Sequence, residues 1–298
     1  MSGPRFGQVL TAMVTPFGAD GSVDYDVAAK LARFLVAEGS DGLVIAGSTG
    51  EGSALSDEEK LNLFACVAEA VTVPVLAGST FANTEQSVLL TSQVKATGAS
   101  GVLATTPAYA RPNQAGIAAH FSAIAESTPL EIMLYDIPVR TGRKIHSTTT
   151  IELVKKHKNV IALKDASGDL VSAAHTKAVL GDELDLYSGD DSLLLAFLVI
   201  GAVGIVSVAA HWAGPEIVGI VRAFEKGKFD KAQRLYERVA PSISFEGTES
   251  YPNPMPSKAA MRVLGFNVGD CRLPHGPSDL ELDRTAGEIV ASLKNTRG

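Results

Sequence analysis

Eight short apolar runs recur along the chain, at residues 9–14, 42–46, 73–77, 101–105, 131–135, 160–163, 184–187 and 203–208. They are rich in Val, Ile and Leu, with little polar alternation. A strand with one wet face alternates apolar and polar residues, so these runs read as strands of a parallel sheet covered on both faces. Segments of helical spacing lie between them. Ser56-Asp57-Glu58-Glu59 is a capping box ahead of Leu61, Leu63, Phe64 and Val67. Asp24 is expected to cap a helix through Leu31 and Leu35 that Gly39 stops, and Thr84 one through Leu89 and Val94 that Gly98 stops. Gly214-Pro215 places a proline where a first helical residue tolerates it.

Strand follows strand about every 25–30 residues, the length of a βα unit. Eight such units without a break in composition predict an α/β fold, a (β/α)8 TIM barrel over residues 1–228. An open doubly wound sheet is the alternative. Residues 229–298 carry helical patterns at 231–239, 257–264 and 280–293 and no evident strand. They are expected to form a C-terminal helical extension packed on the barrel.

Composition narrows the function. The chain has 298 residues, 46% hydrophobic, enough to bury a large core. Its net charge of -7 opposes a general nucleic-acid or anionic-membrane surface. The longest apolar stretch, 193–208, is broken by glycines and short for a bilayer, and the first sixteen residues lack the pattern of a signal peptide. A cytoplasmic setting is expected. Cys66 and Cys271 are isolated, and the six histidines form no HxH or HExxH, so neither a disulfide framework nor a metal site is expected.

In a barrel of this kind chemistry sits where the strands end. The segments there are Gly47-Ser48-Thr49-Gly50-Glu51, Pro107-Ala108-Tyr109, Tyr135 through Arg140-Thr141-Gly142, Lys164-Asp165-Ala166-Ser167-Gly168 and Ser188-Gly189-Asp190-Asp191. Lys164 directly follows the apolar run 160–163. Burial there would favour its neutral amine, a nucleophile toward carbonyls. A lysine snorkelling at a strand end, or paired with Asp165, is the plainer reading. Tyr135, Tyr109 and Thr49 could pass protons beside such an amine, or simply pack and turn. The glycine-rich loop lacks the lysine of a P-loop and carries Glu51, so it suits a small carboxylate better than a phosphate, unless it is only a tight turn. Arg140 could hold a carboxylate bidentately or face solvent. Asp190-Asp191 reads as a pair of caps more readily than as a cation site.

Taken in order, these segments resemble the dihydrodipicolinate synthase and N-acetylneuraminate lyase superfamily of class I aldolase-type barrels, over about residues 9–293. Arg140-Thr141-Gly142, the Ser188–Asp191 stretch and Asn253-Pro254-Met255-Pro256-Ser257-Lys258 are most similar to its 4-hydroxy-tetrahydrodipicolinate synthase branch. Ser48 stands where that branch usually has a threonine, and Ala108 where it commonly has a tyrosine.

The resemblance implies that Lys164 forms a Schiff base with pyruvate, with Ser48 and Thr49 on its carboxylate. It further implies a proton relay through Thr49, Tyr135 and Tyr109, the last from a neighbouring subunit of a homotetramer (a dimer of dimers). Arg140 would bind the carboxylate of L-aspartate 4-semialdehyde, and Gly189 and Val206 would complete the substrate site. The product would be 4-hydroxy-tetrahydrodipicolinate, for lysine and diaminopimelate synthesis, with no metal or organic cofactor. The alternatives are an N-acetylneuraminate or 2-keto-3-deoxy sugar acid lyase and, further off, a non-catalytic 2-oxo-acid binding protein. Where lysine-inhibited members hold lysine, this chain has Gly52, Asp57, Lys60, Ala82, Gln86 and Ala108, so insensitivity to lysine is expected.

Overall fold

A computed structural model describes residues 3–80 and 82–296. Met1 and Ser2, the start of the stretch expected to lack a leader, lie outside the described residues. Eight parallel strands close into a barrel: β1 (Val9–Ala12), β2 (Gly42–Ile45), β3 (Val75–Gly78), β4 (Gly101–Thr105), β5 (Glu131–Asp136), β6 (Val160–Asp165), β7 (Asp185–Ser188) and β8 (Gly204–Ser207). Closure is made by β1 on β8, with Leu10 beside Val206 and Thr11 beside Ser207. That pairing excludes the open sheet.

The strands differ from the apolar runs at their ends, for local reasons. β3 starts after Pro74, which has no N–H for the ladder, and runs on to Gly78. β5 and β6 extend into polar residues, so Asp136, Lys164 and Asp165 are strand residues rather than loop residues. The ladder pairs Tyr135 with Lys164, and Lys164 with Tyr187. Side chains alternate along a strand, which puts Met133 and Tyr135 of β5 and Ala162 and Lys164 of β6 on the lumen side. Leu10, Val44, Leu76, Leu103, Met133, Tyr135, Ala162, Tyr187 and Val206 belong to one lumen cluster.

Around the barrel run α1 (Tyr25–Ala37), α2 (Asp57–Ala70), α3 (Thr84–Val94), α4 (Gln114–Glu126), α5 (Pro138–Thr141), α6 (Ser147–Lys156), α7 (Leu170–Leu180), α8 (Leu194–Val199) and α9 (Ala210–Glu225). Asp24 caps α1 through Val27 N–H, and the Ser56–Glu59 capping box opens α2. The cap of α3 is Asn83, not Thr84. The Asn83 Oδ1 accepts from Gln86 N–H at 3.1 Å, while the Thr84 hydroxyl is hydrogen-bonded to His120. α9 starts ahead of Gly214-Pro215 and breaks at Ala213 (φ -120°, ψ 25°), so Pro215 falls in the first turn after the break.

The chain ends in α10 (Phe229–Ile243), α11 (Met255–Val263) and α12 (Leu280–Thr296), with no strand among the described residues of this stretch. α10 packs on α9, and α11 on both α9 and α12. Ala232, Val239, Met255, Leu282 and Ala286 join the same apolar layer as the outer faces of the strands.

Candidate active site

Lys164 is 4% exposed, and its Nζ sits 4.2 Å from the centroid of the Tyr135 ring. No hydrogen bond or ion pair reaches that nitrogen among the described residues. The plainer reading, a pair with Asp165, does not hold: the Asp165 carboxylate turns to Ser167 N–H at 2.8 Å. Burial lowers the Lys164 pKa to about 8, the charge of the Asp191–Glu246 pair pulls it up, and the Arg140 charge pushes it down. The neutral fraction near neutral pH is therefore far larger than for an exposed lysine.

The stem of Lys164 explains Gly189. A Cβ there would lie 3.0 Å from Lys164 Cγ and 2.9 Å from Ala166 Cβ. Behind the amine lies a second buried device. Asp191 accepts from Ser207 Oγ, from Val208 N–H at 2.8 Å and from Ala209 N–H at 3.4 Å, and its carboxyl is hydrogen-bonded to Glu246. Burial, then the neighbouring Asp191 charge, raise Glu246 well above the usual carboxyl range. With the donors gathered on Asp191, the negative charge sits there and the shared proton sits on Glu246. Asp190 caps the next turn through Ser192 N–H. Asp190 is thus a cap, as the sequence suggests, whereas Asp191 is not: its carboxylate is held by Ser207, Val208 and Ala209 and lies near the lysine.

The Gly47–Glu51 loop folds around the Ala46 carbonyl. Ala46 and Glu51 have φ of 53° and 54°, and a Cβ at Gly52 would lie 2.0 Å from Ala46 O. The turn thus needs its glycines. It uses Glu51 N–H and Gly52 N–H internally, on Ser48 O and Gly47 O. The N–H groups of Ser48 and Thr49 have no acceptor among the described residues. The Ser48 hydroxyl is hydrogen-bonded to Tyr135, whose phenol burial pushes up to about 12. The Thr49 hydroxyl accepts from Asn253 Nδ2 at 3.0 Å, and Asn253 O accepts from Arg140 Nη2 at 3.3 Å.

One connected site thus holds Lys164, Tyr135, Ser48, Thr49 and Arg140, with Gly189 beside the lysine stem. Val206 is fully buried in the lumen. Tyr109 is not brought to them within this chain: it is 97% exposed, at φ 67°.

Three contributors escape a reading of the strand ends: Asn253, Glu246 and Lys258. Lys258 Nζ lies 2.7 Å from Glu51 Oε1 with both side chains fully buried, and also donates to Asp270 O at 2.8 Å. The motif Asn253–Lys258 is the only sequence signal for two of them; Glu246 has none. His211 is a structural histidine. It accepts from Val14 N–H at 3.1 Å and burial drops it to about 4. No group of three or more His, Cys, Asp or Glu side chains stands close enough for a metal among the described residues. No described helix is long and apolar enough to cross a membrane.

A model of the Dihydrodipicolinate synthetase family matches residues 5–293. A 4-hydroxy-tetrahydrodipicolinate synthase of Desulforamulus reducens is 44% identical over 98% of this chain and 99% of its own length. One of Synechococcus elongatus is 43% identical over 97% and 96%. The lysine-bound structure of the Cyanidioschyzon merolae enzyme superposes with a TM-score of 0.93 at 39% identity, covering 97% of this chain and 98% of that one. The lysine-bearing barrel and these full-length likenesses agree: the chain belongs to the Dihydrodipicolinate synthetase family.

Proposed function

We propose that this enzyme condenses pyruvate with L-aspartate 4-semialdehyde to 4-hydroxy-tetrahydrodipicolinate through an imine on Lys164. The observation that carries the proposal is a buried lysine amine with an aromatic face at 4.2 Å and no direct counter-ion among the described residues. The neutral amine adds to the pyruvate ketone, and water leaves as the imine forms. Loss of a methyl proton gives the enamine, whose carbon attacks the aldehyde. The semialdehyde amine then displaces Lys164 and closes the ring. Electrons balance without an oxidant or reductant, so the sequence of steps calls for no redox cofactor.

Roles follow from position. Ser48 and Thr49 offer hydroxyls and N–H groups to the pyruvate carboxylate. Tyr135, tied to Ser48, moves protons at the reacting oxygen. Arg140 is anchored by Asn253 with its charge near Lys164 and Tyr135, and holds the semialdehyde carboxylate. Gly189 and Val206 shape the pyruvate end. Tyr109, exposed and held in the left-handed region, completes the relay in a neighbouring copy within a cytoplasmic homotetramer.

Turnover assays with pyruvate and L-aspartate 4-semialdehyde test the proposal. Activity with that pair and no cleavage of N-acetylneuraminate is expected; the reverse pattern would assign the chain to the sialic acid lyases. Gly52, Lys60, Ala82 and Ala108 line one cavity at the mouth. None of the four offers a carboxylate to an ammonium group, so L-lysine is expected to leave turnover unchanged. Partial inhibition at sub-millimolar lysine would contradict this.

A further inference from the structure

We propose that Asn253 is a positioning residue for pyruvate: its side-chain amide turns the Thr49 hydroxyl so that the hydroxyl hydrogen is presented to the pyruvate carboxylate. The inference rests on the reading of Thr49 given above and adds the group that makes its hydroxyl a donor.

Asn253 Nδ2 donates to Thr49 Oγ1 at 3.0 Å, and no other hydrogen bond reaches that hydroxyl among the described residues. A hydroxyl has one hydrogen and two lone pairs. With one lone pair taken by the amide, the hydrogen turns away from Asn253, toward a side where no described residue accepts it. A bond received on the oxygen also strengthens donation by its hydrogen. The other end of the amide shows that packing alone does not call for an asparagine. Asn253 Oδ1 is buried without a partner among the described residues, an orphan acceptor that an apolar side chain would avoid. What the amide head does, it does at Thr49.

The backbone holds Asn253 in place for this. Pro252 has a fixed φ, and Pro254 restricts the residue before it to extended conformations. In the first turn of α11, Lys258 pairs with Glu51 Oε1, while Glu51 Oε2 accepts from Arg272 N–H at 2.8 Å. The 253–258 segment therefore meets the Gly47–Glu51 turn twice, at Thr49 and at Glu51. The contact of Asn253 with Arg140 uses the main-chain oxygen, which a side-chain substitution leaves in the chain.

The test is the pyruvate dependence of borohydride trapping at Lys164 in the whole protein, an assay without the second substrate. Half-saturation is a property of the folded fraction, so it is read even where a variant folds poorly. Asn253→Ala should raise the half-saturating pyruvate concentration about three- to tenfold with the limiting rate nearly unchanged. In a Thr49→Val background the same substitution should add less than about twofold, because the hydroxyl it acts on is gone. Asn253→Asp keeps the shape but offers an acceptor, and should weaken pyruvate at least as much as alanine does. Three results would overturn the inference and leave the imine standing: a lower limiting rate at unchanged half-saturation, equal penalties with and without the Thr49 hydroxyl, or wild-type affinity in Asn253→Asp. No trapping in the wild type would overturn the imine reading and this inference together.

Discussion

Two lysines of this barrel are buried over aromatic rings, and only one of them is free to react. Lys164 lies 4.2 Å from the Tyr135 centroid, and Lys258 lies 4.1 Å from that of Phe17. Burial lowers the pKa of both. The difference lies in the counter-charge. Lys258 has a carboxylate at 2.7 Å and a carbonyl at 2.8 Å, which hold its proton and lock the C-terminal helices to the Glu51 turn. The negative charge near Lys164 stays on Asp191, without a hydrogen bond to the amine among the described residues. A direct carboxylate makes a strut; a displaced one leaves a nucleophile that can lose its proton.

Exchanging the two side chains for neutral ones should separate these roles most sharply. Lys164→Ala should lower turnover by roughly three orders of magnitude or more with the fold intact. Lys258→Met should instead destabilise by about 3–5 kcal/mol, because Glu51 is left buried and unpaired. Denaturant unfolding and steady-state assays of both variants measure this. Equal stability losses in the two would erase the distinction.

Arg140→Ala comes next. Loss of a charge-assisted contact worth about 1.5–3 kcal/mol should reduce semialdehyde turnover by about 10- to 150-fold. Borohydride trapping of pyruvate should change much less if Arg140 holds the second substrate, as proposed. Equal loss in both assays would put Arg140 on pyruvate.

The smallest effect concerns the acid pair, and its sign is set by which member is charged. Attack needs neutral Lys164, so the rate of imine formation should rise with pH and level off above about 8. Asp191→Asn removes the charge that favours the ammonium, and should move that rise to lower pH by up to about one unit. Glu246→Gln replaces a protonated acid by a neutral amide and should move it little. Rate profiles from pre-steady-state trapping decide this. A larger shift in Glu246→Gln would place the charge on Glu246.

The barrel was legible because strands wet on neither face read as unbroken apolar runs, and Lys164 because a charge ending such a run is conspicuous. Ends were less legible: β5 and β6 carry polar residues inward, which a hydrophobic pattern reads as loop. Asn83 and Thr84 can both cap, and only the contact with His120 diverts the threonine. The bond from Asn253 to Thr49 spans 204 positions, so no local rule finds it. Asp191 with Glu246 is similar, joined only by the return of the chain after α10. Tyr109 is set apart from other tyrosines only by resemblance, and in this chain it is 97% exposed.

The central claim is that the lysine without a direct counter-ion is the one that reacts. Peptide mapping by mass spectrometry after reduction of a pyruvate-treated sample with borohydride tests it most directly. The account predicts a single carboxyethyl-lysine, at Lys164, with Lys258 and Lys60 unmodified. An adduct at either of those lysines, or none anywhere, would contradict it.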